Sequence, residues 1–219
     1  MPPPILAFAA DPIAFMKNNI VYPGGLVPTH QALPAQSGIY QATLIENTNL
    51  TAYKGKVNPS KTIRYYNLVQ PNNGDAFVRI YWLRFESNAA HGMALGHTVN
   101  DPKFMFTVRQ NSCTLGYAQA TQQQPAFVSH HNAAAQGNSA AVIEGQNIQW
   151  SGGAVPNTNM NFAHRDEYMK DTANPFYGST TFGVRDAAGK WHFYFQKSKG
   201  HGYKHDNLSL KGVTEIETG

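Results

Sequence analysis

The chain has 219 residues, one cysteine and a formal net charge of +4 at pH 7, and this length fits one β-rich domain over residues 1–219. Only 14% of the residues are charged and 12% are aromatic, which excludes a disordered chain, and no apolar run is long enough for a membrane span. A single cysteine excludes an intrachain disulfide, and the lysines and arginines are scattered, so nucleic acid is an unlikely partner on composition.

The first predicted elements are helical. Residues 1–11 carry no basic residue ahead of a short apolar run, which makes them a poor secretory signal. Asp11 followed by Pro12 predicts an N-cap and a first helical position, so we expect a short helix that ends near Asn18. Two more short helical segments are expected further along, at residues 133–142 and 163–171.

Most of the remaining chain predicts short strands separated by turns. Residues 61–69 and 76–85 are rich in β-branched and aromatic side chains, and the Asn and Gly residues between them predict a hairpin. A second hairpin is expected from residues 180–186 and 190–197. Further strands are predicted at 104–108, 113–120, 126–132 and 212–217. These elements predict an α+β fold, a single domain with antiparallel-rich, mixed, sandwich-like β-sheets and a few short helices.

The cysteine, Cys113, stands at the start of a predicted strand, and the strand 126–132 returns along it after a turn near residues 121–124. This pairing predicts that Cys113 lies opposite His130 or His131, with Cβ atoms about 4.5–5.5 Å apart. A histidine at that distance can activate a thiol. Apolar residues on the same strand face favour His130, and a shift of one residue in register would exchange the two histidines. A buried, unreactive cysteine is the alternative interpretation.

The pattern of Thr107, Cys113 and the segment Val128-x-His130-x-Asn132 resembles the glutamine-deamidase toxins of the cytotoxic necrotizing factor and Burkholderia lethal factor type. In these enzymes a cysteine opens a strand and a histidine lies on the next strand. The Burkholderia type also has a threonine six residues before its cysteine, as Thr107 stands here. The chain departs from the family at Ser112, where the family has glycine, at Asn111, where it has serine, and in a longer interval between cysteine and histidine.

The resemblance implies an amidohydrolase that needs no cofactor and no metal. Cys113 would attack the carboxamide of a glutamine in a target protein, His130 would move the proton, and Thr107 would orient His130 or the substrate amide. Water would then convert the thioester to glutamate. The resemblance also implies a bacterial virulence factor that is secreted or delivered and acts in the cytosol of a target cell. Transglutamination and proteolysis share the first step and stay open.

Two other functions are compatible with the sequence. Residues 177–181 resemble the Ser-Thr-Ser strand of ADP-ribosyltransferase toxins, and residues 215–217 resemble their Glu-x-Glu element, with Arg64 or Arg79 as the arginine that this family requires. A β-sandwich module that binds glycans or proteins without catalysis is the other alternative. Its support is the high content of Asn and Gln, together with three tryptophans that can stack on sugars, Trp82, Trp150 and Trp191.

Metal binding is not expected from the remaining histidines. The pairs have no recognised ligand spacing, and a single cysteine excludes a cysteine-rich zinc site. We interpret these histidines as solvated loop residues, namely His91, His97, His201 and His205.

Overall fold

The computed structural model describes residues 2–23, 27–48, 51–54, 62–110, 113–122, 124–132, 160–164, 177–200 and 207–216. These residues contain two short helices, α1 (Pro4–Ala10) and α2 (Pro12–Asn18). The strands in the first half of the chain are β1 (Ile20–Pro23), β2 (Gly38–Glu46), β3 (Thr51–Lys54), β4 (Thr62–Ile63), β5 (Tyr65–Val69), β6 (Val78–Leu83) and β7 (Ala90–Leu95). Those in the second half are β8 (Phe104–Thr107), β9 (Thr114–Ala118), β10 (Ala126–His131), β11 (Asn161–Ala163), β12 (Tyr177–Arg185), β13 (Trp191–Gly200) and β14 (Asn207–Glu215).

The strands form two sheets. A ten-stranded sheet has the order β1-β5-β2-β6-β8-β12-β13-β14-β3-β4, and a four-stranded sheet has the order β11-β9-β10-β7. Most neighbouring strands are antiparallel, whereas β1 with β5, β6 with β8, and β14 with β3 are parallel. The predicted fold class is confirmed: the structure is mostly β, with antiparallel-rich mixed sheets and short helices.

The large sheet is covered on both faces in its central part, where alternate residues enter different cores. Ile80 on β6 and Phe106 on β8 pack with α1 and α2 in one core. Leu83 on β6 and Met105 on β8 pack with β9 and β10 of the four-stranded sheet in another. The protein is therefore layered, with the helices on one face of the large sheet and the small sheet on the other.

The helix predicted after Asp11 is confirmed. Asp11 caps α2, because its Oδ1 accepts a hydrogen bond of 2.9 Å from the backbone N–H of Ala14, and Pro12 takes the first position. The preceding helix α1 was not predicted, and it is held by burial of Ile5 and Phe8 in the helix-side core. No helix among the described residues is long and apolar enough to cross a membrane.

One of the two predicted hairpins forms and the other does not. Strands β12 and β13 pair along their length around a turn in which Gly189 has a φ of +86°. The hairpin predicted from residues 61–69 and 76–85 is wrong, because β2 lies between β5 and β6 and pairs with both. The intervening turn is held elsewhere, since Asn72 Nδ2 donates to the carbonyl of Thr29.

Strands β9 and β10 form the predicted antiparallel pair, but the expected register is wrong. The ladder aligns His131 with Thr114 and His130 with Leu115, so Cys113 comes level with Asn132 and not with either histidine. The reversal is centred on a hydrogen bond of 2.9 Å from Thr121 N–H to the Gln124 carbonyl, which fixes the partners of every residue in the ladder.

The remaining predicted elements have mixed outcomes. Residues 212–215 of the strand expected at 212–217 are the end of the longer strand β14, and residue 217 lies outside the described part of the chain. The helix expected at 163–171 is wrong at its start, because Ala163 ends strand β11 and pairs with Leu115, and residues 165–171 lie outside the described part of the chain. The helical segment expected at 133–142 also lies outside it.

Candidate functional site

Thr107 and His130 meet in the gap between the two sheets. Thr107 ends β8 of the large sheet, His130 lies on β10 of the small sheet, and Thr107 Oγ1 is 2.6 Å from His130 Nδ1. Both side chains are buried. This hydrogen bond joins the two sheets and fixes the plane of the imidazole ring.

Cys113 immediately precedes β9, the strand that pairs with β10, and is in contact with Asn132. The Nδ2 of Asn132 donates to the Cys113 sulfur across 3.3 Å, and both residues are buried. Asn132 is held in turn by Asn88, whose backbone N–H donates to its Oδ1 at 3.0 Å. A third bond, from the Asn132 N–H to the Ala89 carbonyl, fixes its backbone. The sulfur therefore faces an amide donor that is held by three hydrogen bonds of Asn132, through its Nδ2, its Oδ1 and its backbone N–H.

The register decides which histidine shares the face of Cys113. His130 is aligned with Leu115, and Cys113 stands two positions from Leu115, so the side chains of Cys113 and His130 lie on the same face. Such diagonal neighbours are about 7–8 Å apart in an antiparallel ladder, still within reach of an aromatic side chain. His131 is aligned with Thr114 and points to the other face. The structure thus brings His130, and not His131, to the side of the thiol.

Burial keeps the His130 imidazole neutral. Burial, followed by the nearby His131 and His91, lowers its pKa from 6.5 to about 3. The Phe85 ring lies 5.5 Å from it, centroid to centroid. Its Nε2 is buried and has no hydrogen-bond partner within the described residues. A neutral imidazole with one nitrogen engaged and the other open is the form that can accept a proton.

His131 has its own surroundings on the outer face of the small sheet. Its Nε2 is 2.7 Å from Ser129 Oγ, and the Phe162 ring meets it edge-on at 5.6 Å. Burial, together with His164, lowers its pKa to about 4. These contacts hold His131 away from Cys113 and do not connect it to Thr107.

His91 was expected in a solvated loop, and that expectation is wrong. It lies in β7, aligned with His130 across the β7–β10 ladder. Its Nε2 is 2.8 Å from both Arg84 Nη2 and Glu86 Oε2, and Arg84 also pairs with Glu86. This charged group lies on the rim of the buried site. His97 is exposed in the loop after β7, and the pair at 201 and 205 lies outside the described residues.

Gln110, which the sequence analysis did not select, lies on the large sheet near Thr107, together with two buried residues of the 177–181 segment, Ser179 and Thr181. Gln110 and Ser179 exchange two backbone hydrogen bonds of 2.7 Å, and Thr181 Oγ1 donates to Gln110 Oε1 at 2.5 Å. Gln110 Nε2 and Ser179 Oγ are buried without a hydrogen-bond partner in the regions that the structure describes. The signal for Gln110 in the sequence was its position midway between Thr107 and Cys113.

The residues proposed for ADP-ribosyl transfer are not gathered in one place by the described strands. Ser179 on β12 and Glu215 on β14 are separated by β13, and Glu215 Oε1 is 2.8 Å from His192 Nδ1. Arg64 pairs with Glu46, and Arg79 donates to the Asn100 carbonyl. Residue 217 lies outside the described residues.

Two of the tryptophans expected to stack on sugars are core residues. Trp82 and Trp191 are buried, and their indole N–H groups donate to the carbonyls of Pro34 and Gly96. Neither offers a ring face to a ligand, and residue 150 is outside the described part of the chain.

The sequence matches no model of a known protein family and no curated protein. The geometry around Cys113 and His130 is therefore the basis for assigning a function.

Proposed function

We propose that this protein is a Cys–His amidohydrolase that converts a glutamine side chain of a target protein to glutamate. The observation that carries the proposal is the 2.6 Å contact between Thr107 Oγ1 and His130 Nδ1. It leaves the buried Nε2 of His130 as the open nitrogen, on the same strand face as Cys113.

The first step is proton transfer from the thiol. When His130 Nδ1–H donates to Thr107 Oγ1, Nε2 carries the lone pair and accepts the proton of Cys113. Burial keeps His130 neutral before the transfer, with a pKa of about 3, and the negative charge of the thiolate favours the imidazolium that the transfer forms. Asn132 Nδ2–H then donates to the thiolate and stabilises it.

The following steps exchange the amide nitrogen for water. The thiolate forms a C–S bond with the carboxamide carbon, and the resulting tetrahedral oxyanion collapses with cleavage of the C–N bond. The protonated His130 gives its proton to the departing ammonia. Water then attacks the thioester while His130 takes a proton, and cleavage of the C–S bond releases glutamate and regenerates Cys113. Atoms and charges balance without an oxidant, a reductant or a cofactor.

The substrate is proposed to be a protein of a target cell. This extends the resemblance of Thr107, Cys113 and His130 to the glutamine-deamidase toxins. A bacterial origin, and delivery to or secretion toward the target cytosol, belong to the same proposal.

The test is incubation of the protein with a target-cell extract in ¹⁸O-labelled water. Peptide mass spectrometry then finds glutamines that became glutamate carrying the label. Cys113→Ser and His130→Gln should abolish labelling, while His131→Gln, the matched variant on the other strand face, should keep it. Labelling that persists in Cys113→Ser, or that His131→Gln removes as fully as His130→Gln does, would contradict the proposal.

A further inference from the structure

Gln110, Ser179 and Thr181 form a polar niche on the face of the large sheet that looks toward the small sheet. Along β12, Thr180 and Phe182 point to the helix side, since Thr180 Oγ1 donates to the Val21 carbonyl and Phe182 packs in the helix-side core. Ser179 and Thr181 alternate with them and so face the small sheet, the same side as Thr107.

A short length of chain joins the niche to the thiol. Gln110 is three residues from both Thr107 and Cys113 in the chain, so its Cα is at most about 11 Å from that of either residue. Two backbone hydrogen bonds of 2.7 Å to Ser179 fix Gln110 in place. Its Oε1 accepts from Thr181 Oγ1 at 2.5 Å, which turns the Nε2 donor away from Thr181.

Three polar atoms of this region are buried without a hydrogen-bond partner in the described chain. They are His130 Nε2, Gln110 Nε2 and Ser179 Oγ. Buried polar groups normally have partners, and leaving one unpaired is costly. Three such atoms on the facing sides of the two sheets indicate a site that a polar ligand completes.

We propose that Gln110 and Ser179 bind the primary carboxamide of the substrate, which deepens the proposed function and rests on it. Gln110 Nε2–H donates to the carboxamide oxygen, and Ser179 Oγ accepts from the carboxamide NH₂. Thr181 is a positioning residue, since it sets the orientation of the Gln110 amide. A carboxylate should bind here more weakly than a carboxamide, because its negative charge would lose its water on entering a buried niche. The same preference helps the glutamate product to leave.

The test compares two alkylating reagents that differ only in this group. Iodoacetamide carries a primary carboxamide and iodoacetate a carboxylate, and each forms a C–S bond with Cys113 as iodide leaves. Because Cys113 is the one cysteine of the chain, intact-protein mass spectrometry gives both rates directly. We expect the ratio of the iodoacetamide rate to the iodoacetate rate in the folded protein to exceed that of the urea-unfolded chain by about fivefold or more, which corresponds to one hydrogen bond.

Variants separate the niche from general effects on folding. Gln110→Met should return the ratio to that of the unfolded chain, and Thr181→Val should lower it part of the way. Gln196→Met is the matched control, since Gln196 is an equally buried glutamine whose side chain binds Val21, Met16 and Asn19 on the helix side. It should leave the ratio unchanged even if it lowers stability. Thr181→Val decides the question if Gln110→Met does not fold.

Either of two results overturns the niche. One is a ratio in the folded protein equal to that of the unfolded chain, and the other is no reaction of Cys113 with either reagent. The test is independent of the deamidation assay. A high ratio without ¹⁸O incorporation would refute glutamine deamidation and leave the carboxamide niche standing. Incorporation of ¹⁸O together with a ratio equal to that of the unfolded chain would refute the niche and leave glutamine deamidation standing.

Discussion

Asn132 and Cys113 are cross-strand neighbours, and the Asn132 amide donates to the Cys113 sulfur at 3.3 Å. The contact gives the thiolate a donor that is fixed by the backbone N–H of Asn88. Asn132→Asp keeps an acceptor for Asn88 and replaces the donor with a negative charge. We expect the apparent pKa of the Cys113 thiol to rise by about one unit or more, measured from the pH dependence of alkylation.

The control for this variant is Asn73→Asp, which adds the same charge at an exposed turn. It should leave the alkylation profile of Cys113 unchanged. An unaltered profile in Asn132→Asp would mean that the amide does not stabilise the thiolate.

Thr107 should be needed for both stability and reactivity. Thr107→Val removes the hydroxyl that meets His130 Nδ1 and leaves a buried ring nitrogen unpaired, which typically costs about 1–3 kcal/mol of unfolding free energy. Urea denaturation measures this loss, and labelling with ¹⁸O should fall with it because the imidazole loses its orientation.

Thr107→Ser is the matched variant, because it retains the hydroxyl and loses only the methyl group. It should recover most of the labelling. Equal labelling in the Val and Ser variants would rule out a role for the hydrogen bond.

Stability should fall on acidification because His130 and His131 are buried and neutral. Their pKa values in the folded protein are about 3 and about 4, against 6.5 for a free histidine. Between these values the unfolded chain binds protons that the folded chain does not, so the unfolding free energy decreases as pH falls below 6.5. The slope is at most about 1.4 kcal/mol per pH unit for each histidine. His130→Gln should reduce it, as seen in urea titrations at a series of pH values.

His192 supplies the contrast for the pH experiment. Its contacts with Glu215 and Asp186 raise its pKa, so its stabilising contribution is complete below the unfolded pKa and is lost as pH rises through the folded value. His192 is partly exposed to solvent and its two carboxylate partners more so, so this contribution is small. His192→Gln should therefore destabilise slightly at acidic pH and have no effect at alkaline pH. A shallower acid loss in His192→Gln than in wild type, with an unchanged slope in His130→Gln, would reverse the assignment.

Gly116 is expected to tolerate no side chain. A Cβ there would come 2.3 Å from Ser129 Oγ and 2.7 Å from Met160 Cε, and Ser129 also holds His131. Gly116→Ala should lower the unfolding free energy by about 1–3 kcal/mol, as overpacking does. Thermal or urea unfolding measures it, and adding Ser129→Gly to the variant should recover part of the loss.

The local parts of the fold were predictable and the long-range pairings were not. The N-cap at Asp11 and the β12–β13 hairpin depend on residues close together in the chain, and both formed as expected. The pairing of β2 between β5 and β6 depends on residues that are far apart in the chain, and no pattern of neighbouring residues predicts it. An apolar strand such as β5, buried along its whole length, fits more than one neighbour.

The candidate site shows the same division. The sequence analysis favoured His130 over His131 for the face of Cys113 and left the choice to the register. The partner level with Cys113 was missed, because the expected register was wrong. Gln110 and Thr181 are 71 residues apart in sequence. Their contact depends on β12 lying beside β8, which only the three-dimensional arrangement reveals.

Because the hydrogen bond between Thr107 and His130 joins the two sheets, the geometry of the site depends on how the sheets pack against each other. Its two halves belong to separate sheets that touch mainly through apolar side chains such as Met105, Leu115 and Val128. A core substitution at one of these residues, remote from the thiol, would shift one sheet against the other and change the 2.6 Å separation. Sheet docking and thiol chemistry should therefore fail together on denaturation, so Cys113 reactivity can report the integrity of the inter-sheet core.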